Sequence, residues 1–175
     1  MSEVTVNLLN DNLKRNTLRN LSHNENYTEH NLSVKYLVNS DKRCYDFDQL
    51  NPNNKSVDGL EYKEETYYLI EFKDERVYSF EHNWAKTMGV ISKVFQSIND
   101  ILNLYINNNI AKIEFYNNEI NLIIVFSSNK STDFNDFKTL KTILTEKYGS
   151  IFNIDIVNEK MFFDDYIATD KIGIN

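Results

Sequence analysis

The pattern that most constrains the fold is a pair of β-rich segments followed by one long amphipathic segment. Residues 57–62 and 66–73 are rich in Val, Leu, Ile, Tyr and Phe, and the polar run 63–65 separates them. This spacing predicts a β-hairpin. In residues 84–106 the apolar side chains recur at the spacing of one helix face: Met88, Ile91, Phe95, Ile98, Ile101, Leu102 and Tyr105. This segment is therefore predicted to be a long helix, and its apolar face predicts packing against the protein core.

The rest of the chain predicts further strands and helices around this centre. We expect an N-terminal helix over residues 6–21, a strand over 32–38, and a second hairpin, 110–116 with 119–127, around Asn117-Asn118. Residues 120–126 are nearly all apolar, which predicts a strand buried on both faces. A helix is expected over 134–148, with Thr132 or Asp133 as its cap and Gly149 as its stop. Residues 152–157 and 161–166 predict a last strand pair, followed by a frayed tail over 168–175.

These elements indicate an α/β (α+β) fold with a mixed central β-sheet flanked by helices. The length of 175 residues agrees with one domain over 1–175, whose core we expect at about 30–166. Because Cys44 is the only cysteine, an internal disulfide framework and a Cys-based zinc site within one chain are excluded. The first 21 residues lack the apolar stretch of a signal peptide, and no run reaches 18 apolar residues. We therefore expect a cytoplasmic protein with no membrane association.

Three charged residues of the first hairpin form the strongest candidate site. Glu71 and Lys73 are two positions apart on one strand, so their side chains share a face. A two-residue turn at Glu64-Glu65, or a four-residue loop around it, places Asp58 directly opposite Glu71. Opposed residues share a face with Cβ atoms about 4.5–5.5 Å apart. The sequence thus predicts two adjacent carboxylates with an amine beside them.

Two neighbouring carboxylates repel each other unless a cation or a proton lies between them. Mg²⁺ takes one or two protein carboxylates together with waters and phosphate oxygens. Lys73 would lie beside such an ion, where it could orient or deprotonate an attacking water. This arrangement is typical of metal-assisted phosphodiester hydrolysis.

The run 55–60, the strand 68–74 and the long helix after them resemble the PD-(D/E)XK nuclease-like superfamily, in particular its small bacterial and phage proteins. The resemblance covers about residues 42–106 and implies a restriction-endonuclease-like core. It implies that Asp58 and Glu71 hold Mg²⁺ or Mn²⁺, that Lys73 supports the attacking water, and that Lys93 or Gln96 approaches the substrate phosphate. An acidic residue on an earlier helix often joins such a site, and Glu25 or Glu29 could match it. The implied substrate is nucleic acid, DNA more than RNA, and many such nucleases act as homodimers.

Each of these features also has a plainer interpretation. Asp58, Glu71 and Lys73 could form an ordinary charged hairpin surface, where an exposed ion pair contributes about 0–1 kcal/mol. Asp46 and Asp48 could be alternative metal ligands or strand-edge carboxylates, and Cys44 a nucleophile or, as we expect, a buried thiol. The remaining groups are expected to be ordinary surface or packing residues rather than a general base, a stacking platform or a phosphate-binding patch. They are His23, His30 and His82; Tyr78, Phe80 and Trp84; and Lys14, Arg15, Arg19, Lys42 and Arg43.

The net charge of −7 favours a second hypothesis. An acidic total weakens non-specific binding to nucleic acid, and it suits binding to a basic protein. The alternative is therefore a non-catalytic interaction protein, such as a phage component, an inhibitor or an immunity-type partner, that keeps the fold.

Overall fold

The architecture is a six-stranded mixed sheet with helices on both faces, as seen in a computed structural model that describes residues 3–23, 35–47, 56–131 and 133–174. The strands are β1 (Arg15–Thr17), β2 (Arg43–Asp46), β3 (Gly59–Lys63), β4 (Thr66–Lys73), β5 (Glu119–Phe126) and β6 (Asn153–Asn158). The helices are α1 (Glu3–Asn12), α2 (Leu18–Leu21), α3 (Val77–His82), α4 (Trp84–Asn107), α5 (Lys112–Tyr116), α6 (Phe134–Tyr148) and α7 (Glu159–Phe162), which continues into a π-helical turn (Phe163–Ile167). The predicted α/β class is confirmed.

Strand pairing in the sheet changes from antiparallel to parallel at β4. Strands β1 to β4 are antiparallel neighbours in chain order, whereas β4, β5 and β6 run parallel. Parallel neighbours need a crossover connection, and α4 and α6 lie in those two connections. Strand β4 therefore has a partner on each side, and the long helix follows it closely.

The hairpin β3–β4 has the predicted register. Lys63 pairs with Thr66 and Gly59 pairs with Ile70. The turn residues Glu64 and Glu65 have φ angles of 52° and 60°. A two-residue type I′ turn requires positive φ at both positions, so the chain makes this turn without glycine or asparagine.

Alternate side chains of β4 enter two different cores. Tyr67 and Leu69 pack with α1, α4 and α6 on one face of the sheet. Ile70 packs on the other face, together with residues of α2, α7 and the C-terminal segment, and Phe72 lies against that cluster. Glu71 and Lys73 share the face of Leu69, which is the face that α4 covers. The predictions for α4, for α6 and for the burial of β5 on both faces are confirmed.

The predicted helix over residues 6–21 is wrong in its extent. The chain leaves α1 at Asn12, forms the short edge strand β1, and enters α2 at Leu18. Thr17 begins α2, because its hydroxyl accepts a hydrogen bond from the backbone N–H of Asn20 at 3.2 Å. Asparagine has low helix propensity, which favours the break. Of the predicted strand 32–38, residues 32–34 lie outside the described chain, and Tyr36 makes only an isolated bridge with His23.

The second predicted hairpin is wrong. Residues 112–116 form helix α5 rather than a strand, and β5 pairs with β4 and β6 instead. Both edges of β5 are therefore occupied, which leaves no place for a strand at 110–116. Asn117 has a φ of −77°, so the Asn pair does not form a primed turn. Instead, the Asn118 amide donates to the Phe115 carbonyl at 3.2 Å and helps to end the helix.

Of the C-terminal predictions, the strand over 152–157 is confirmed as β6, and the other two are wrong. Residues 161–166 are helical, because Asn158 caps α7 and places Phe162 and Tyr166 against the sheet. The tail after Ala168 is not frayed over the described residues. Ile172 is fully buried, and Ile174 exchanges two backbone hydrogen bonds with Arg43 at 2.8 and 2.9 Å.

Candidate active site

The structure brings the predicted Asp58, Glu71 and Lys73 together and adds Lys93. Asp58 directly precedes β3, while Glu71 and Lys73 lie at the carboxyl end of the neighbouring strand β4. Lys93 comes from α4, which covers this face of the sheet. The predicted juxtaposition of two carboxylates and an amine is present, with a second amine that the sequence placed only as a phosphate contact.

Two hydrogen bonds fix Asp58. The backbone N–H of Val57 donates to the hydroxyl of Ser97 on α4 at 3.0 Å. The Asp58 Oδ2 atom accepts from the backbone N–H of Phe72 at 2.7 Å. The pairing of β3 with β4 ends at Gly59 and Ile70. Beyond that point the Asp58 carboxylate, rather than a backbone carbonyl of β3, accepts the hydrogen bond from the Phe72 N–H. Its carboxylate is thereby held at the end of β4.

Glu71 is a buried carboxylate covered by two ammonium groups. Its side chain is 0% exposed. Lys73 Nζ lies 2.5 Å from Oε1, and Lys93 Nζ lies 2.8 Å from Oε1 and 3.2 Å from Oε2. A buried charge is costly unless it is paired and hydrogen-bonded, and these lysines supply both conditions.

Asp58 is less well compensated than Glu71. Its Oδ1 atom is 3.6 Å from Lys93 Nζ, which is longer than a hydrogen bond. Burial and the negative charge of Glu71 raise the pKa of Asp58 from 3.8 to about 7, although Lys93, the Phe72 N–H and Lys73 act in the opposite direction. Asp58 therefore has an increased tendency to hold a proton near neutral pH.

A cleft of about 320 Å³ leads to this cluster. Its lining residues are Glu71, Lys73, Glu75, Phe80, Lys86, Gly89, Val90 and Lys93. Glu75 and Lys86 pair with each other at the surface. This ion pair does not include Asp58 or Glu71. The ammonium groups of Lys73 and Lys93 thus separate the buried Glu71 from the open part of the cleft, and Asp58 is not among the lining residues.

The donor set suits a hard divalent cation. Mg²⁺ prefers oxygen ligands and commonly takes one or two carboxylates, with waters completing its shell. Asp58 and Glu71 provide such oxygens. Within the described ranges no group of three or more His, Cys, Asp or Glu side chains could hold a metal ion, and Glu25 and Glu29 lie outside them.

Several other candidates lie away from this cleft. The Gln96 amide donates to Asp100 at 2.9 Å on its own helix, and Gln96 is not among the lining residues. Asp46 ends β2 and accepts from Asn16 at 3.2 Å, whereas Asp48 lies outside the described residues. Cys44 is fully buried, as predicted, and burial raises the pKa of its thiol.

The aromatic and histidine candidates do not form part of the cluster. Trp84 and Tyr78 are exposed, Phe80 is buried at the cleft wall, and the ring of Trp84 faces Lys147 at 4.4 Å. His82 is exposed and stacks on Tyr78, and His30 lies outside the described residues. Arg15, Arg19 and Lys42 each pair with a carboxylate, so the basic residues near the N-terminus do not form one continuous patch.

Sequence reasoning missed the direct contact between Lys93 and both carboxylates, and the role of Ser97. A signal for both exists, because these two polar residues are one helical turn apart between the buried Val90, Val94 and Ile101 of α4. Polar side chains on an otherwise buried helix face indicate that they have polar partners.

Comparison with protein-family models, curated proteins and solved structures found no match. No helix in the described part of the chain is both long and apolar enough to cross a membrane.

Proposed function

We propose that the protein hydrolyses phosphodiester bonds in nucleic acid, with DNA as the preferred substrate and Mg²⁺ or Mn²⁺ as the cofactor. The observation that carries the proposal is the cluster of Asp58, Glu71, Lys73 and Lys93, of which Glu71 and the two lysines line one cleft. The PD-(D/E)XK-like order of antiparallel strands, a long helix and a parallel strand also supports it. Cytoplasmic action and a homodimer belong to the same proposal.

Asp58 and Glu71 would hold the metal ion through their carboxylate oxygens. When bound, the ion supplies positive charge beside the phosphate and makes a nucleophile available at neutral pH. The hydrogen bond from Phe72 orients Asp58, and burial on β4 orients Glu71. Both ligands therefore stand on a rigid part of the fold, which favours precise positioning.

The two lysines have separate roles. Lys73 follows Glu71 on the same strand face, where it orients the attacking water. In its neutral amine form it accepts the proton of that water, and the ammonium group so formed returns the proton to the leaving oxygen. Lys93 is paired with both carboxylates when no substrate is bound. Its flexible side chain then turns toward the phosphate and stabilises negative charge on a non-bridging oxygen.

Plasmid cleavage in Mg²⁺ or Mn²⁺ tests this function. We expect Glu71→Gln and Lys73→Met to lower the cleavage rate by at least about 100-fold. Glu71 would hold the metal ion, whose stabilisation of transition-state charge is worth several kcal/mol, and a general acid–base group such as Lys73 contributes about 10²–10⁴-fold. Glu75→Gln and Lys86→Gln are matched controls, because these residues line the same cleft without contacting the inner carboxylates. Equal cleavage by wild type and the two inner variants would contradict the assigned roles.

A second candidate, a non-catalytic partner for a basic protein, is favoured by the net charge of −7 and by the balance of two carboxylates with two ammonium groups. A thermal-shift titration with Mg²⁺ separates the two functions. The nuclease proposal requires Mg²⁺ to raise the melting temperature of wild type but not of Asp58→Asn. If Mg²⁺ has no effect on either protein, the partner function is favoured.

A further inference from the structure

A second cleft lies at the opposite end of the sheet from the candidate active site. It has a volume of about 540 Å³, which is within the range of small-molecule sites. Lys63 at its edge pairs with Thr66, five residues before Glu71 on β4. At about 3.3 Å per residue the two sites are separated by about 17 Å along the strand. The cleft is therefore independent of the proposed catalytic groups.

The cleft opens where β2 and β3 separate. These strands pair only at Tyr45–Leu60 and Asp46–Gly59, and the gap beyond them is filled by Arg15 and Glu61. Arg15 forms a bidentate ion pair with Glu61 at 2.8 and 3.0 Å, and its guanidinium lies 3.9 Å from the centre of the Tyr45 ring. Because the Glu61 side chain is only 5% exposed, this pair forms a rigid, neutral floor.

The wall of the cleft carries an excess of positive charge. Among the charged lining residues, Arg15 pairs with Glu61 and Lys42 pairs with Asp170. The two other charged residues of the lining are Lys63 and Lys171. Lys63 donates to the backbone carbonyl of Asp170, and Lys171 lies 5.5 Å from the centre of the Tyr166 ring. Lys63 also interacts electrostatically with the Asp170 carboxylate, and Lys171 with that of Asp155, which lies outside the cleft. Counted over its lining residues, four cationic and two anionic, the cleft has a net charge of +2 in a chain whose total is −7, a local reversal that favours an anionic ligand.

The C-terminal segment holds this wall in place. Ile172 is buried, and Ile174 is bonded to Arg43 of β2. Gly173 has a φ of +83°, and an added Cβ would lie 2.9 Å from the Cβ of Lys42. Glycine is thus required for both the backbone conformation and the close approach. A preformed site loses less conformational entropy when a ligand binds.

We propose that this cleft binds a phosphate ester of nucleotide size. The ammonium groups of Lys63 and Lys171 receive the phosphates, and the apolar body lies against Val6, Tyr62 and Ile174. A free nucleoside polyphosphate and the phosphorylated end of a nucleic-acid strand share this chemistry. The proposal does not depend on catalysis at Glu71.

Isothermal titration calorimetry in EDTA tests the site, with ATP, pyrophosphate, adenosine and a 5′-phosphorylated oligonucleotide as probes. We expect ATP or the oligonucleotide to bind wild type and adenosine to bind much more weakly. Lys63→Gln/Lys171→Gln should weaken binding at least 10-fold. Lys112→Gln/Lys160→Gln changes the net charge equally at exposed positions outside the cleft and should have little effect.

The probes also identify the source of the phosphate. Tighter binding of ATP indicates a free nucleotide, and tighter binding of the oligonucleotide indicates a strand end. The double variant Lys63→Gln/Lys171→Gln should lose affinity whether or not the protein cleaves nucleic acid, so failure of the nuclease proposal leaves this result intact. The site is disproved if no phosphate compound binds wild type, or if both double variants lose affinity equally.

Discussion

The inner cluster shows how single residues acquire unusual properties from their neighbours. Glu71 is fully buried and contacts two ammonium groups, whereas Asp58 receives one backbone hydrogen bond and one distant lysine. The two carboxylates therefore differ in how many positive charges and hydrogen bonds stabilise their ionised form, not in their chemical type. This difference makes Asp58 a carboxyl group whose protonation responds to pH near neutrality.

This unequal compensation predicts a pH-dependent stability. Burial and Glu71 raise the folded-state pKa of Asp58 to about 7, so the folded protein holds a proton that the unfolded chain releases near its usual value of 3.8. The free energy of unfolding should therefore fall as pH rises from about 4 to about 7, by on the order of a few kcal/mol, and change little above that range. Urea titrations of wild type and Asp58→Asn in EDTA measure it.

The Asn variant cannot ionise at this position and should lack this part of the pH dependence. The stability difference between wild type and Asp58→Asn should therefore become less favourable to wild type as pH rises. Parallel stability curves across this pH range would contradict the assigned pKa.

At the scale of elements, local patterns predicted the structure where side-chain periodicity was strong. The apolar stripe of residues 84–106 was sufficient to predict α4. The turn at Glu64-Glu65 was sufficient to predict the β3–β4 hairpin, its register and the positions of Asp58 and Glu71. The sequence could not show that β5 pairs with β4 rather than with residues 110–116, because that choice depends on contacts distant in the chain. The ammonium of Lys93 was placed near the site only through a resemblance, since helix periodicity does not reveal a side chain's partner.

Two glycines at helix positions should respond oppositely to alanine. An added Cβ at Gly89, within α4, meets no atom within 4 Å, so Gly89→Ala should raise the unfolding free energy by about 0.5–1 kcal/mol. An added Cβ at Gly149, at the end of α6, would lie 2.5 Å from the Thr145 carbonyl oxygen. Gly149→Ala should therefore lower stability by about 1–3 kcal/mol. Chemical denaturation gives both values, and a loss of stability in Gly89→Ala would contradict the open helix surface.

At the scale of the whole molecule, the two ends of the chain are joined to the same side of the sheet. Strand β1 pairs with β2, and the C-terminal segment bridges to β2 through Ile174. The second core contains Leu18 from the N-terminal part and Ile172 from the C-terminal part. Residues near both termini therefore contribute to global stability.

This closure predicts a cost for truncating a side chain close to the terminus. Ile172 is 0% exposed, so Ile172→Ala should lower the unfolding free energy by about 2–5 kcal/mol. Ile174→Ala is the matched control, because that side chain is 50% exposed and should change stability by less than about 1 kcal/mol. Thermal and urea denaturation distinguish the two variants, and equal small losses would indicate that the tail does not belong to the core.

The position of β4 between an antiparallel and a parallel neighbour has a consequence for motion. From Thr66 to Ile70, β4 pairs with a strand on both sides, and Glu71, just beyond, pairs with β5 and is buried. The amide protons of this strand should be among the last to exchange with deuterium, because their release requires global unfolding. We therefore expect the candidate site to open by rotation of the lysine side chains on nanosecond timescales, while the backbone of β4 does not move.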